Sequence, residues 1–186
     1  MANPLSGSTW WHTYQATYPN SSSVDDLEPG FRARVEDFIG SLRRAGASVR
    51  VSSTRRDRDR AYLMHYAWQV SHCDISPADV PKRGSVPIEW DHGDVGRSRD
   101  AATEMVKLFG MAHIAALNSN HIAGKAIDMT INWQGELVLT KPAPLLARIN
   151  SQPRNGQNTE LHRLGTDVFG VKKLVSDPPH WSVDGH

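Results

Sequence analysis

Two short segments carry side chains that can act together. The first, Ser119-Asn120-His121-Ile122-Ala123-Gly124-Lys125-Ala126-Ile127-Asp128, sets an imidazole in a polar, loop-like stretch and a carboxylate seven residues later in an expected strand. Gly124 lets the chain between them turn tightly, and the small Ala126 lets it approach closely. One imidazole and one carboxylate can thus converge on a point. The second, Asp177-Pro178-Pro179-His180-Trp181, holds an acid and another imidazole in fixed relation, because two prolines stiffen the link. Two histidines and one carboxylate are the usual protein half of a catalytic zinc site, with the fourth position left for water. Zinc lowers the pKa of that water and polarises a carbonyl oxygen. A general base must stand near the water, and Asp177 is the natural candidate beside His180.

Other polar clusters read more plainly. His72-Cys73-Asp74 offers metal-binding atoms, but adjacent residues on a helix point in different directions. Asp91-His92-Gly93-Asp94 lies in a long loop and reads as a polar turn first, and as a cleft border or a second ion site next. His65, His113 and His162 fall in or at the ends of expected helices and read as packing or surface residues. Trp181 reads as a buttress for His180 more than as a substrate contact.

These side chains need a frame. Residues 1–23 are rich in Ser, Asn, Pro and aromatics without helical or strand spacing, so they read as an irregular arm. Its Trp10, Trp11, Tyr14 and Tyr18 either clip onto the core or stack on a sugar or peptide ligand. Residues 24–186 read as a single domain. A helix is expected where Phe31, Val35, Phe38, Ile39 and Leu42 recur, capped by Asp25 or Asp26 and stopped at Gly46. Ala47 to Ser52 alternates as a strand, and Ala61 to Val70 reads as a second helix. Asp74 to Gly96 is a Pro- and Gly-rich loop, followed by a helix from Ser98, its cap, to Phe109. Ala126 to Trp133 is an expected strand, with a turn at Gln134-Gly135 and a return strand from Glu136 to Thr140. Pro142 to Ile149 reads as a short helix or turn, Thr159 to Phe169 as the last helix, and Val171 to Val175 as a short strand. Helices and strands mix without regular βαβ alternation, which argues for α+β, a small antiparallel sheet flanked by helices.

Composition sets the outer limits. The 186 residues suit one domain of ordinary size, and 39% hydrophobic against 22% charged residues can bury a core. No apolar run approaches the ~18–20 residues that span a bilayer. The first residues lack a basic stretch followed by an apolar one, so a standard secretory signal is not expected. Lys plus Arg total 21 and Asp plus Glu 20, whereas a nonspecific nucleic-acid binder needs a clearer basic excess. The lone Cys73 cannot form an intramolecular disulfide, and at the end of an apolar stretch it reads as structural.

Segment 119–128 fits Ser-x-His-x-x-Gly-x-Ala-x-Asp, and so resembles the metal-binding motif of zinc D-Ala-D-Ala carboxypeptidases and L-alanyl-D-glutamate peptidases. Their fold also occurs in the Hedgehog signalling domain. The earlier arginine and later Asp-x-x-His follow in the family's order, and the resemblance covers about residues 48–181. It implies a Hedgehog/DD-peptidase-like zinc fold with Zn2+ held by His121, Asp128 and His180. It implies Asp177 as the catalytic acid–base. Arg55, in Ser53-Thr54-Arg55-Arg56, would hold the substrate carbonyl and stabilise the oxyanion, with Arg56 the alternative register. Ser119 would contact substrate or orient a ligand. Two positions depart from the pattern: Thr54, where relatives often carry Tyr or a small residue, and Ser182, where they often carry an acid.

The implied activity is zinc-dependent hydrolysis of peptidoglycan stem peptides. Asp at 177, where carboxypeptidases often carry Glu, looks more like phage endolysins that cut L-Ala–D-Glu. The alternatives are a D-Ala-D-Ala carboxypeptidase or dipeptidase and, in another class, a noncatalytic zinc-containing wall-binding module. The expected chain is a monomer made in the cytoplasm and acting at the wall or periplasm, as an endolysin or an injected effector. An effector would bring an immunity protein as partner; nucleic acid is not expected.

Overall fold

The computed structural model describes residues 3–141 and 145–186. In chain order its elements are α1 (Ser8–Tyr14), α2 (Pro29–Arg44), β1 (Ser48–Ser53), α3 (Arg58–Ser71), α4 (Val95–Phe109), β2 (Ala126–Asn132), β3 (Leu137–Lys141), β4 (Leu145–Ile149), α5 (Thr159–Leu164), β5 (Lys172–Lys173) and β6 (His180–Ser182). The class is α+β, as the mixed order of elements predicts. The chain divides into two compact units, one of residues 20–56 and 119–186, the other of residues 3–19 and 57–118.

The first unit is built on an antiparallel sheet of order β1-β2-β6-β5. Period-2 alternation sends Ile127, Met129 and Ile131 of β2 into the core and leaves Asp128, Thr130 and Asn132 on the opposite face. Helix α2 lays Phe31, Val35, Phe38 and Leu42 into the same core, all fully buried. Each such side chain contributes about 1.5–3 kcal/mol by leaving water. The α2 cap is Glu28, whose carboxylate accepts from the Gly30 and Phe31 N–H groups; Asp25 and Asp26 instead form a separate 3₁₀ turn.

Several expectations fail in this unit. Residues 145–149 form strand β4 rather than a helix or turn, and β3 pairs with β4 instead of returning along β2. Alternation explains the strand: Ile149 turns inward, while Arg148 turns outward to pair with Glu136 at 2.7 Å. Residues 142–144 of that segment lie outside the described residues. The last helix is not continuous: α5 ends at Leu164 and passes into a π turn over Gly165–Phe169. A Cβ on Gly165 would stand 2.8 Å from the Val171 carbonyl oxygen and 2.9 Å from the Trp181 ring, so only glycine fits that approach. Finally, the strand expected over Val171–Val175 shrinks to two residues, and His180–Ser182, read as a loop end, is an inner strand.

The second unit packs α1, α3 and α4. The irregular arm expected over residues 1–23 is corrected here: Ser8–Tyr14 is helical, and residues 3–19 belong with 57–118. Trp10, Trp11 and Tyr18 are buried with Leu63, Val70 and Met105. Trp10 rests on Tyr14 with ring centroids 4.8 Å apart, an i,i+4 contact masked in the sequence by the adjacent tryptophan. Trp11 meets Phe109 edge-on at 4.6 Å. These rings clip the core. Asp57 caps α3, and Asp94, not Ser98, caps α4; Ser98 is buried and donates back to the Asp94 carbonyl. Cys73, expected to be structural, is exposed with φ 65°.

Candidate metal centre

Asp128 and His180 stand directly opposite one another on antiparallel β2 and β6, so their side chains leave the same face of the sheet. Their neighbours aim them. Ile127, Met129 and Trp181 all turn into the core, and the Trp181 ring packs on Phe38 and His162. On its other side Asp128 pairs with Ser53, where β1 carries a bulge that redirects the chain into Thr54.

His121 arrives from the tight turn 119–124. The Ile122 and Ala123 N–H groups donate to the Ser119 carbonyl, and the Gly124 N–H donates to that of His121. Gly124 has φ 69° and accepts from the Glu28 N–H at 2.8 Å; a Cβ there would sit 3.0 Å from the Glu28 nitrogen. The glycine of the motif is therefore required twice, by conformation and by space.

Three atoms converge. His121 Nε2, His180 Nδ1 and Asp128 Oδ1 form a triangle with each side 3.2 Å. The other ring nitrogens are committed: His121 Nδ1 donates to the Thr54 carbonyl at 2.7 Å, and His180 Nε2 donates to the backbone oxygen of His186 at 3.1 Å. Those bonds fix both tautomers, so neutral imidazoles point lone pairs at each other and at the carboxylate. Three acceptors this close need a positive charge among them, a proton or a cation. In a tetrahedral zinc site with bonds of about 2.0 Å, ligand atoms lie about 3.3 Å apart, so the triangle fits an ion. Among the described residues it is the one group of three His, Cys, Asp or Glu arranged to hold a metal.

The surrounding charges are ordered. Burial alone would raise the Asp128 pKa, but when a proton supplies that positive charge, hydrogen bonds from protonated His121 and His180, together with their charge, hold it well below the usual carboxylate range. Arg56 is mostly buried; burial lowers its pKa, and the charges of Asp128 and Asp177 pull it back up. Its N–H donates to the His121 carbonyl at 3.1 Å, while its Nε has no hydrogen-bond partner. Lys173 is buried beneath the Asp177–His180 turn. Its Nζ donates to the carbonyls of Leu174, Asp177 and His180 and lies 5.7 Å from the Trp181 ring centroid. Burial lowers the Lys173 pKa, against the pull of Asp177 and Asp128.

A cleft of about 320 Å³ flanks the same turn. Thr130 and Asn132, on the Asp128 face of β2, line it with Asn155, Gln157, Pro178 and Pro179. The Gln157 amide donates to the Pro178 carbonyl at 2.9 Å and tethers the turn.

Of the residues singled out in the sequence, His121, Asp128 and His180 come together, with Asp177 in the electrostatic field of Arg56 and Lys173. Arg55 is exposed, and the arginine that feels the charges of Asp128 and Asp177 is Arg56. Ser119 heads the His121 turn through its carbonyl, while its buried Oγ has no hydrogen-bond partner. Trp181 is a core residue, fully buried on the far face from His180. Lys173 escaped the sequence reading, although a lysine in step with inward-facing Val171 was its available signal. Compared with protein-family models, curated proteins and solved structures, the chain matches none.

Proposed function

We propose that this chain is a zinc-dependent peptidase of bacterial cell-wall stem peptides, with a Hedgehog/DD-peptidase-like fold and the L-Ala–D-Glu bond as its target. The observation that carries the reading is the triangle of two imidazoles and one carboxylate, with Arg56 in the electrostatic field of Asp128 and Asp177. Zinc held by His121, Asp128 and His180 would supply Lewis acidity to a water and to the scissile carbonyl.

The chain's own groups do the rest. Asp177, on its proline-stiffened turn, takes the proton from the attacking water and returns it to the leaving amine. Arg56 holds the substrate carbonyl oxygen and meets the negative charge that develops there; a largely buried guanidinium acts more strongly than one in water. The Thr54 carbonyl and the His186 backbone oxygen keep both imidazoles in the tautomer that offers a lone pair. The cleft beside the turn presents the neutral amides of Asn132, Asn155 and Gln157, which suit the peptide groups of a substrate.

A digest of purified peptidoglycan with and without a chelator, read by mass spectrometry, tests the reading. The expected products are chelator-sensitive stem peptides beginning at D-Glu. Loss of a single terminal D-Ala would shift the activity to a carboxypeptidase. Absence of any product from zinc-loaded protein would leave a noncatalytic wall-binding module in its place.

A further inference from the structure

The unit of residues 3–19 and 57–118 holds a cavity that the reaction above does not use. Arg58, Tyr62 and Tyr66 recur every four residues on α3, so they form one stripe, about 12 Å long at 1.5 Å per residue. The stripe lines a cavity of about 290 Å³ together with Lys82, Arg83 and Leu117. Part of the wall is rigid. The Tyr62 hydroxyl donates to the Pro81 carbonyl at 2.8 Å and accepts from Trp90 Nε1 at 3.4 Å. Arg83 is ion-paired with Asp59 and lies 5.7 Å from the Tyr62 ring centroid, and Tyr66 packs against Tyr62 at 4.9 Å.

Other groups are held in reserve. Among the described residues Arg58 and Lys82 have no acidic partner, and the Tyr66 hydroxyl makes no hydrogen bond. Three cations therefore face the cavity with Asp59 alone committed against them. Carboxylates would pair with the two free cations, and with Arg58 bidentately. The half-buried Tyr66 ring next to those cations suits the apolar face of a sugar ring, whereas Tyr62 is buried behind it. The volume is that of a small-ligand site.

We propose that this cavity binds an acidic peptidoglycan fragment, a muropeptide whose sugar packs on Tyr66 and whose carboxylates pair with Arg58 and Lys82. The choice of ligand rests on the cell-wall reading given above. The cavity is a second grip on the same polymer, separate in role from bond cleavage.

The test is calorimetric titration of a purified monosaccharide–tetrapeptide into the zinc-loaded full chain carrying Asp177→Asn to block turnover, with and without Arg58→Ala plus Lys82→Ala. Both cations are exposed, so unchanged circular dichroism and zinc content are expected of the added pair. Affinity should fall at least tenfold with the double substitution, and salt should weaken the parent's binding much more than the variant's. Equal affinities would overturn the proposal, as would equal binding of N-acetylglucosamine, which lacks the carboxylates. The two readings fail differently. Hydrolysis of sacculi with unchanged KM after Arg58→Ala plus Lys82→Ala, on the otherwise unaltered chain, keeps the peptidase and removes the grip. Muropeptide binding that depends on Arg58 and Lys82, in a chain that releases no product, keeps the grip and removes the peptidase.

Discussion

Asp177 and Arg56 are the residues on which the proposed chemistry turns, and neither touches the three-atom triangle through a hydrogen bond. They can therefore be removed without unmaking it. Asp177→Ala should keep one zinc per chain and lose turnover by about 10²–10⁴, the usual worth of a positioned general base. Arg56→Ala should lower kcat by about 10²–10³ with zinc retained, whereas exposed Arg55→Ala should stay close to the parent. The reverse pattern in steady-state kinetics would return the role to Arg55. Acid acts on the third residue. The Asp128 carboxyl has a lowered folded-state pKa, so in metal-free protein its stabilising effect is present above the unfolded value of ~3.9 and drains as pH falls through the folded one. Urea unfolding of chelated protein at falling pH should show this, and Asp128→Asn should flatten that acid limb. The convergence of His121, Asp128 and His180 was legible because their types and spacing are specific. The register of the arginine was not, because a one-residue choice between Arg55 and Arg56 depends on how the chain leaves the β1 bulge.

At the scale of elements, regular amphipathic segments were readable and irregular ones were not. The positions of Phe31, Val35, Phe38 and Leu42 disclose α2 in full, because every fourth or so residue is apolar. Strand β6 has no such pattern: it is three residues long, all buried, and follows two prolines. Its place comes from its neighbours on both sides, which no local signal carries. Helix α1 was hidden by the pairing of two tryptophans that face different partners. The turn between β5 and β6 owes its shape to Lys173, whose ammonium gathers three carbonyls. Lys173→Met would remove one of two donors at each of those carbonyls, which keep the backbone N–H groups of Asp177, His180 and Leu174, at about 0.5–1.5 kcal/mol for each bond lost. Reduced stability in urea, together with weaker zinc binding by competition with a chromophoric chelator, is expected. Unchanged zinc affinity would show that the turn holds its form unaided.

For the whole molecule, the division into two units gives metal removal a specific signature. All three ligands lie in the unit of residues 20–56 and 119–186. An ion at about a thousand times its dissociation constant stabilises the folded state that binds it by about 4 kcal/mol. Hydrogen exchange on addition of a chelator should therefore accelerate in β1, β2 and β6 and change least in α3 and α4. Uniform acceleration throughout would mean that the units open together. The α+β class was legible from the order of elements, but the division was not, since each unit is assembled from two stretches far apart in the chain.

The placement of Asp128 opposite His180 has one more effect. Side chains in a strand alternate, so sliding β6 by a single residue along β2 would carry His180 into the oily interior and thrust Trp181 out into the solvent. An ion bound to both strands tolerates only one of these alignments. A metal bridging β2 and β6 would thus work as a proofreader of assembly: it would reward the correct threading of a three-residue strand too short to declare its own alignment.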